Sequence, residues 1–487
     1  MLRTIPWILL AAYAAFLAVH FASVPAGSDS SGYFNGARLL AEGRMTTPVR
    51  TIEGFNASSP WVYTPHGFTP EGASSGLTPT YPTGLSLHYA AGALMLGWQW
   101  GPLAVAVLAS VATVLLTYFI LRELDVGRPL ALVGAAAIAG SPLFLFVSFI
   151  PMSDVPTTAW VALAVLGALR ARESQRWAML AGLAFSVAVV IRPTTAVLAP
   201  PLALLLGGLR PIGWAGVGAL PGAAWQAFTG VALYGGVFRT GYGAFGDSFG
   251  WENFGPSWRN YAMTFPYVLP LAMAAVLLAP WWPWKSRARE GIALGVMAVG
   301  LLCFYSFYNV TKDVWWYLRF VLPVFPVLIA LALRALQGFV NRRQIPPESR
   351  PAVWLVTAMV LALSLVPSVY WSRKQHVLLM KSFQEPYAAA GEWARANLPR
   401  GSAVAAMHLS GTLYFYSDLP ILRWDLISTE DVAALRRTLT ASGRSIYAMV
   451  HPFEGDAKLR EQFPWRWEKV TEVEGVVVLR SGGEAPR

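Results

Sequence analysis

Two aspartates lie just beyond predicted membrane spans, where a carboxylate can accept a proton or bind a cation. Asp29 follows the first apolar run, residues 5–24, by about five residues. Asp154 lies in the segment 151–156, between two later apolar runs. Because acids beside the hydrocarbon core are costly to place, both residues indicate a function. They can serve one reaction only if both lie on the same side of the membrane.

The composition is that of a membrane protein. Of the 487 residues, 55% are hydrophobic and 13% are charged, whereas about 25% of a soluble chain is charged. The 21 Trp and 18 Tyr residues suit aromatic belts at the two membrane surfaces. We interpret the net charge of +11 as basic cytoplasmic loops, so we expect membrane lipids and no nucleic acid as partners.

The hydrophobic runs and the basic residues between them predict the topology. About 20 apolar residues cross a membrane, and eleven spans are predicted near 5–24, 102–121, 129–148, 157–170, 176–191, 193–209, 212–234, 266–282, 290–308, 319–337 and 352–371. With a cytoplasmic N-terminus, basic residues such as Arg122 and those of 285–289 fall in cytoplasmic loops. The positive-inside rule then places Asp29, Asp154 and the C-terminal tail outside the cytoplasm, in an inner or plasma membrane. Arg3 and the first apolar run would also suit a signal peptide, but the many later spans favour an uncleaved first helix.

The first external loop, residues 25–101, is unusually long. It contains the apolar stretch 85–98, whose length of about 14 residues is short for a span and suits a helix at the membrane surface. Counting this stretch as a span would place every later arginine-rich loop outside. The rest of the loop is rich in Gly, Pro, Ser and Thr, and long structured loops are usually functional.

The composition changes after Trp371. Residues 373–487 are charged and mixed, and we interpret them as an extracytoplasmic α/β domain that follows a membrane domain of residues 1–372. Its predicted helices are 385–397 and 429–442, the second with Thr429 as N-cap, and its predicted strands are 403–407, 445–450 and 476–480. No CxxC, GxxxxGK or HExxH motif occurs in the chain, which argues against an ATP-driven pump or a zinc protease.

Four groups of motifs follow one another in an order known from one class of enzymes. The first group is Asp29-x-x-x-Tyr33 together with residues 37–43 and 81–84. The others are residues 151–156, the tripeptide Arg192-Pro193-Thr194, and residues 317–323, which include Arg319. In this order the chain resembles the GT-C class of membrane glycosyltransferases, and most of all the dolichyl-phosphate-mannose-type enzymes of family 39 and the bacterial aminoarabinose-transferase-like enzymes. The resemblance covers about 370 residues. Each motif alone is weak, and the ordered set is specific.

The resemblance implies a GT-C fold, with about eleven transmembrane helices, and glycosyltransferase activity. Such enzymes transfer a sugar, with inversion, from a polyprenyl-phosphate-linked donor to a lipid, glycan or protein acceptor outside the cytoplasm. Asp29 would be the general base. Many relatives have a second acid where this chain has Ser30, so Asp29 would be the main base of its loop. Asp154 would orient Asp29 or the acceptor, or help to hold a divalent metal ion, the one cofactor that the resemblance allows.

The same resemblance implies roles for other polar residues. Arg319 and Arg192 would bind the donor phosphate, and Tyr33 and Tyr81 would line the sugar pocket. Simpler roles exist for all of them: an interface arginine at Arg319, a tight turn at Arg192, and interface anchoring for the tyrosines. Both aspartates could likewise be helix caps.

Two histidines, His66 and His88, have a side chain that can bind a metal. They lack paired ligand spacing, so we predict no metal ligand.

Two other functions stay open. A transporter or flippase of a lipid-linked glycan should show internal repeats and charged residues at the membrane midplane. The sequence has no visible repeat, and its acids lie at span ends. The chain could also be an inactive relative whose external domain binds a partner.

Overall fold

The computed structural model describes residues 5–72, 76–243, 248–342 and 350–481. The helices described are α1 (Ile5–His20), α2 (Asp29–Ala41), α3 (Thr83–Glu123), α4 (Arg128–Ala139), α5 (Pro142–Ser148), α6 (Asp154–Arg170), α7 (Gln175–Ile191), α8 (Ala199–Leu206), α9 (Leu209–Tyr234), α10 (Phe254–Val268), α11 (Pro270–Leu278), α12 (Trp284–Ser306), α13 (Phe325–Arg342), α14 (Arg350–Lys374), α15 (Met380–Asn397), α16 (Ser410–Tyr416), α17 (Thr429–Ser442) and α18 (Ala457–Gln462). The strands are β1 (Phe68–Thr69), β2 (Thr78–Pro79), β3 (Ala403–Ala405), β4 (Ile421–Leu422), β5 (Ile446–Val450), β6 (Trp467–Val473) and β7 (Val476–Ser481). Short 3₁₀ helices include Pro193–Leu198 and Trp315–Val324.

The chain forms two compact units, each built from separate stretches of sequence. Unit 1 consists of Met1–Phe21, Ala104–Gln226 and Gly243–Met380. Unit 2 consists of Ala22–Leu103, Ala227–Tyr242 and Lys381–Arg487. The predicted domains, 1–372 and 373–487, stay a prediction.

Most of the helices suited to a membrane lie in unit 1, and one of them, Thr83–Glu123, begins in unit 2. Among the described residues, four helices are long and apolar enough to cross a membrane, or six if each of two bent helix pairs counts as one span. Shorter apolar helices, such as Gln175–Ile191, accompany them. The fold is therefore that of an α-helical polytopic membrane protein, whereas the number of eleven spans is not confirmed.

Small residues let α6 and α7 pack closely side by side. Ala178, Ala181, Ala184 and Ala188 are all buried, and a Cβ atom on Gly167 would lie 3.1 Å from the Cβ of Ala181. Small side chains of this kind allow the backbones of membrane helices to approach one another. The N-terminus of α6 and the C-terminus of α7 can therefore lie side by side.

Helix α3 is broken at Gly97, which has a φ of 77° and a ψ of 165°. Beyond the break the chain turns back, so that a Cβ on Gly92 would lie 2.9 Å from the carbonyl oxygen of Gly101. Only glycine adopts this backbone conformation without strain. The break at Gly97 lies within the stretch 85–98, and the interpretation of this stretch as a helix at the membrane surface stays a prediction.

The sheet of unit 2 has five strands in the order β4-β3-β5-β7-β6. Strand β3 is parallel to both β4 and β5, with Val404 opposite Ile421 and Tyr447. Strands β5, β7 and β6 are antiparallel neighbours. The predicted strands around 403, 446 and 476 are therefore present in one sheet, and the C-terminal α/β fold is confirmed.

Residues 25–101, the predicted first external loop, contribute to both hydrophobic cores of this sheet. Val404 packs on one face with Phe68 and Leu77 of the loop, while Ala405 packs on the other face with Phe55 and Val62. Successive residues of a strand point to opposite faces, so both faces of the sheet are covered. The loop is thus part of the same folded unit as the C-terminal segment.

Two details of the C-terminal segment differ from the prediction. The N-cap of α17 is Ser428, whose hydroxyl accepts a hydrogen bond from the backbone N–H of Asp431, and Thr429 is already the first helical residue. Ser428 has an extended backbone and so directs its oxygen at the helix end. Four elements were not predicted: β6 is mostly exposed, and β4, α16 and α18 have only two, seven and six residues.

Candidate functional site

Asp29 is the first residue of α2, where the positive end of the helix dipole favours an acid. Its Oδ1 accepts a hydrogen bond of 2.5 Å from the hydroxyl of Tyr81. The Tyr81 oxygen also lies 2.9 Å from Oγ of Ser28. Since Tyr81 gives its proton to Asp29, Ser28 is the donor in that second contact. The ring of buried Tyr33 lies 5.0 Å from that of Tyr81, so unit 2 brings Asp29, Tyr33 and Tyr81 together.

The position of Tyr81 depends on a glycine. A Cβ on Gly32 would lie 2.3 Å from Cδ2 of Tyr81 and 2.9 Å from Cα of Gly67. Burial, together with the nearby carboxylate of Asp29, raises the pKa of Tyr81 well above its usual value. The tyrosine therefore stays protonated and acts as a hydrogen-bond donor to Asp29 at neutral pH.

We expect the substitution Gly32→Ala to destabilise unit 2 and to displace Tyr81 from Asp29. The new methyl group overlaps both the tyrosine ring and the backbone at Gly67, and overpacking of this kind typically costs about 1–3 kcal/mol. The midpoint of thermal unfolding in detergent measures the effect. Gly295→Ala is the matched control, because nothing lies within 4 Å of a Cβ at that helical position. Equal midpoints for the two variants would contradict the prediction.

A buried ionic cluster in unit 1 contains Asp154, Arg192 and Arg319. Asp154 begins α6, Arg192 ends α7, and Arg319 lies in the 3₁₀ helix Trp315–Val324. Nη2 of Arg192 lies 2.7 Å from Oδ1 of Asp154, and Nη1 of Arg319 lies 3.6 Å from Oδ2. The close packing of α6 and α7 thus sets one guanidinium beside the carboxylate, and the 3₁₀ helix supplies the other.

An aromatic ring supports both guanidinium groups of this ionic cluster. The ring centre of Phe320 lies 5.2 Å from Cζ of Arg192 and 4.9 Å from Cζ of Arg319. Tyr305 stacks against the same ring at 5.3 Å. Cations bind favourably over aromatic faces. The sequence analysis did not single out Phe320, although its place directly after Arg319 in an aromatic run was a usable signal.

The ionic cluster also bears on the helix-cap interpretation of Asp154. The N-cap position of α6 is held by Ser153, and Asp154 lies in the first turn. The Oγ of Ser153 accepts no cap hydrogen bond from the backbone of α6; it accepts one of 2.9 Å from Nη2 of Arg192. The carboxylate of Asp154 is fully buried and faces the two arginines. The position of the Asp154 carboxylate suits it to orient these two arginines. The roles that the sequence predicts for Asp154 stay predictions.

The two histidines considered as metal ligands lie in unit 2. Nδ1 of His88 is 2.7 Å from the carbonyl oxygen of Gly84, and the ring of His66 lies 5.7 Å from that of His408. In the ranges that the structure describes, no group of three or more His, Cys, Asp or Glu residues is arranged to hold a metal ion. A requirement for a divalent ion therefore stays a prediction.

Residues 90–211 match the family model described as dolichyl-phosphate-mannose-protein mannosyltransferase. No curated protein shows significant sequence similarity to the chain. The fold is similar over 99% of this chain and 100% of the other to ArnT from Cupriavidus metallidurans bound to undecaprenyl phosphate, at 14% identity and a TM-score of 0.60.

Two further structures share the fold. The oligosaccharyltransferase of Archaeoglobus fulgidus, tethered with an acceptor peptide, matches 99% of this chain and 74% of its own, at 11% identity and a TM-score of 0.57. The arabinofuranosyltransferase AftD from Mycobacteria matches 98% of this chain and 40% of its own, at 15% identity and a TM-score of 0.54. The chain therefore has the GT-C fold, and the family match over residues 90–211 confirms its resemblance to the GT-C glycosyltransferases.

Proposed function

We propose that this chain is a multi-pass membrane glycosyltransferase that transfers a sugar from a polyprenyl-phosphate-linked donor to an acceptor outside the cytoplasm, with inversion. The fold and the family match support the reaction class. The donor class is supported by the ArnT structure, which is bound to undecaprenyl phosphate. The basic residues of the predicted cytoplasmic loops support an extracytoplasmic site.

The observation that carries the donor proposal is the ionic cluster of unit 1. The guanidinium groups of both Arg192 and Arg319 lie beside the carboxylate of Asp154. Guanidinium groups bind phosphate oxygens through charge-assisted hydrogen bonds, and burial strengthens such attraction relative to water. We assign Arg319 and Arg192 to the donor phosphate, and Asp154 to holding their guanidinium groups in place.

The base is assigned to Asp29 in unit 2. In the proposed step, an acceptor oxygen or nitrogen attacks the anomeric carbon while the bond from that carbon to the phosphate oxygen breaks. The bonding electrons leave with the phosphate, and the proton of the acceptor passes to the carboxylate of Asp29. Tyr81 orients this carboxylate by donating a hydrogen bond to Oδ1. Tyr33, packed on Tyr81, is assigned with it to the sugar pocket. One displacement inverts the configuration of the sugar.

We expect Arg319→Ala to weaken donor binding by about 10- to 100-fold, because a hydrogen bond to a charged group contributes about 1.5–3 kcal/mol. Binding of a radiolabelled polyprenyl-phosphate sugar to the protein in proteoliposomes measures this loss. Arg259→Ala is the control, since Arg259 is exposed in α10. Movement of the labelled lipid across the bilayer without any sugar transfer would support a flippase and contradict the proposed function.

A further inference from the structure

Three parallel strands of unit 2 end at the same edge of the sheet, because β3 is parallel to both β4 and β5. The residues that follow them carry chemistry that the site described above does not use. His408 follows β3, Arg423 follows β4, and His451 and Phe453 follow β5. This set of loops is called here the carboxyl edge. In open α/β sheets, ligands bind outside the carboxyl ends of parallel strands.

The carboxyl edge contains a topological switch point. Helix α16 leads from β3 to β4, and its Leu413 packs on one face of the sheet. Helix α17 leads from β4 across β3 to β5, and its Leu435 packs on the other face. After β5 the chain enters α18, whose Leu459 packs on this second face as well. The chain thus leaves β3 and β5 towards opposite faces of the sheet, the arrangement beside which ligands bind in open α/β sheets. His408 lies in the loop after β3, and His451 and Phe453 lie in the loop after β5.

A carboxylate fixes the loops after β3 and β5 to each other. Oε1 of Glu454 accepts a hydrogen bond of 2.9 Å from the backbone N–H of His408, and Oε2 accepts one of 2.7 Å from the backbone N–H of His451. Both oxygens of Glu454 are therefore occupied by the backbone. Loops held in this way present their side chains in a fixed arrangement before any ligand binds.

The side chains form a continuous row of rings. Ring centres are 5.7 Å apart for His66 and His408, 4.8 Å for His408 and Phe453, 4.3 Å for Phe453 and His451, and 4.8 Å for His451 and Tyr387. Phe453 is 60% exposed, whereas its neighbours in the row are partly or fully buried. The row therefore offers one apolar ring face to a ligand, with imidazoles on either side.

The carboxyl edge carries little net charge. Arg423 forms a two-pronged ion pair with Asp425, at 2.8 Å and 2.5 Å. Burial, aided by Arg423 and His408, lowers the pKa of His66 to about 3, and burial lowers the pKa of His451 to about 4. These imidazoles are neutral at pH 7, and a neutral imidazole can both donate and accept a hydrogen bond. Such groups suit hydroxyls better than phosphate or carboxylate.

The edge also lies within electrostatic reach of the proposed base. The carboxylate of Asp29 is one of the charges that act on His66, and the backbone N–H of His66 donates to Oγ of Ser410, the first residue of α16. Both contacts are internal to unit 2. A ligand at the carboxyl edge would therefore lie near the residue that is assigned to deprotonate the acceptor.

We propose that the carboxyl edge binds the acceptor and that this acceptor is a carbohydrate. The exposed face of Phe453 stacks on the apolar face of a sugar ring, and the imidazoles of His408 and His66 form hydrogen bonds with its hydroxyls. The proposal rests on the proposed function, since it assigns the acceptor of that reaction. It requires a neutral, polyhydroxylated ligand.

The test is saturation-transfer NMR on the full chain in nanodiscs, with uncharged methyl glycosides of hexoses and pentoses as probes. We expect saturable binding of at least one glycoside, at least tenfold weaker binding by Phe453→Ala, and weaker binding by His408→Phe, which keeps a ring and removes the nitrogens. Phe238→Ala is the matched control, because Phe238 is 97% exposed on another loop of unit 2. It should bind as the unchanged protein does.

Three results would overturn the proposal: no glycoside binding, equal binding by Phe453→Ala and Phe238→Ala, or binding of an uncharged peptide in place of the glycosides. Asp29→Asn separates this proposal from the proposed function. Its glycoside binding should be unchanged, since Asp29 acts on the proton. If Asp29→Asn loses transfer while no glycoside binds at Phe453, the acceptor proposal alone fails. If glycosides bind and Asp29→Asn transfers normally, the proposed function fails.

Discussion

Replacing Asp29 by Asn should lower the rate of sugar transfer by about 10²- to 10⁴-fold, the usual contribution of a positioned general base. The amide has the shape of the carboxylate, and its oxygen can still accept the hydrogen bond from Tyr81 that now measures 2.5 Å. The folded structure should therefore be kept while the capacity to accept a proton is lost. Transfer from a radiolabelled polyprenyl-phosphate sugar in proteoliposomes measures the rate.

Donor binding distinguishes loss of the base from loss of the site. We expect Asp29→Asn to bind the labelled donor as tightly as the unchanged protein, because the donor phosphate is assigned to Arg319 and Arg192. Asp418→Asn is a matched control for the removal of a carboxylate from unit 2, since the side chain of Asp418 is 91% exposed. If both variants transfer sugar at the normal rate, Asp29 is not the base.

The residues of the ionic cluster could be found from the sequence because membrane proteins restrict where charges lie. Asp154, Arg192 and Arg319 each stand at the end of an apolar run, where an ionisable side chain is costly without a function. Their pairing could not be predicted. It depends on the close packing of α6 against α7 and on the short 3₁₀ helix that carries Arg319, and neither feature leaves a clear hydrophobic period in the sequence.

Unit 2 shows a different limit of sequence analysis. Helix α17 and strand β5 were predicted within one residue, because their patterns are local. The participation of residues 25–101, the predicted first external loop, in the cores of the sheet was not predicted. Its buried residues, such as Ile52, Phe55 and Val62, follow no regular spacing, and the core that they share with the sheet includes residues more than 300 positions later in the chain. Contacts of such separation are decided by tertiary packing alone.

The predicted number of eleven spans is not confirmed, for a related reason. Predicted runs were counted by apolar length, yet the structure bends or shortens several of them, as in the pair Trp251–Val268 and Pro270–Trp281, which meet at 107°. A proline disfavours helical backbone at the residue before it. Leu269, which precedes Pro270, indeed has a backbone conformation outside the helical region. Apolar composition therefore predicts membrane segments better than it predicts their number.

Replacing Asp154 by Ala should lower the free energy of unfolding by about 3–5 kcal/mol, the cost of removing one partner from a buried ion pair. The carboxylate is fully buried between two guanidinium groups, so its loss leaves their charges facing each other in a medium of low dielectric constant. The midpoint of thermal unfolding in detergent measures the change. Donor binding should fall as well, because Arg192 and Arg319 lose the group that orients them.

A matched ion pair at the surface of unit 1 provides the control for this effect. Asp125 lies 2.6 Å from Arg287, but its side chain is 64% exposed, and exposed pairs contribute only about 0–1 kcal/mol. Asp125→Ala should therefore hardly change the unfolding midpoint. The double variant Asp154→Ala with Arg192→Met should recover part of the stability that Asp154→Ala alone loses, since it removes one of the two buried positive charges that then face each other. If Asp154→Ala is as mild as Asp125→Ala, or if the second substitution adds its own full loss, the ionic cluster does not hold the ends of α6 and α7 together, and Asp154 must act in another way.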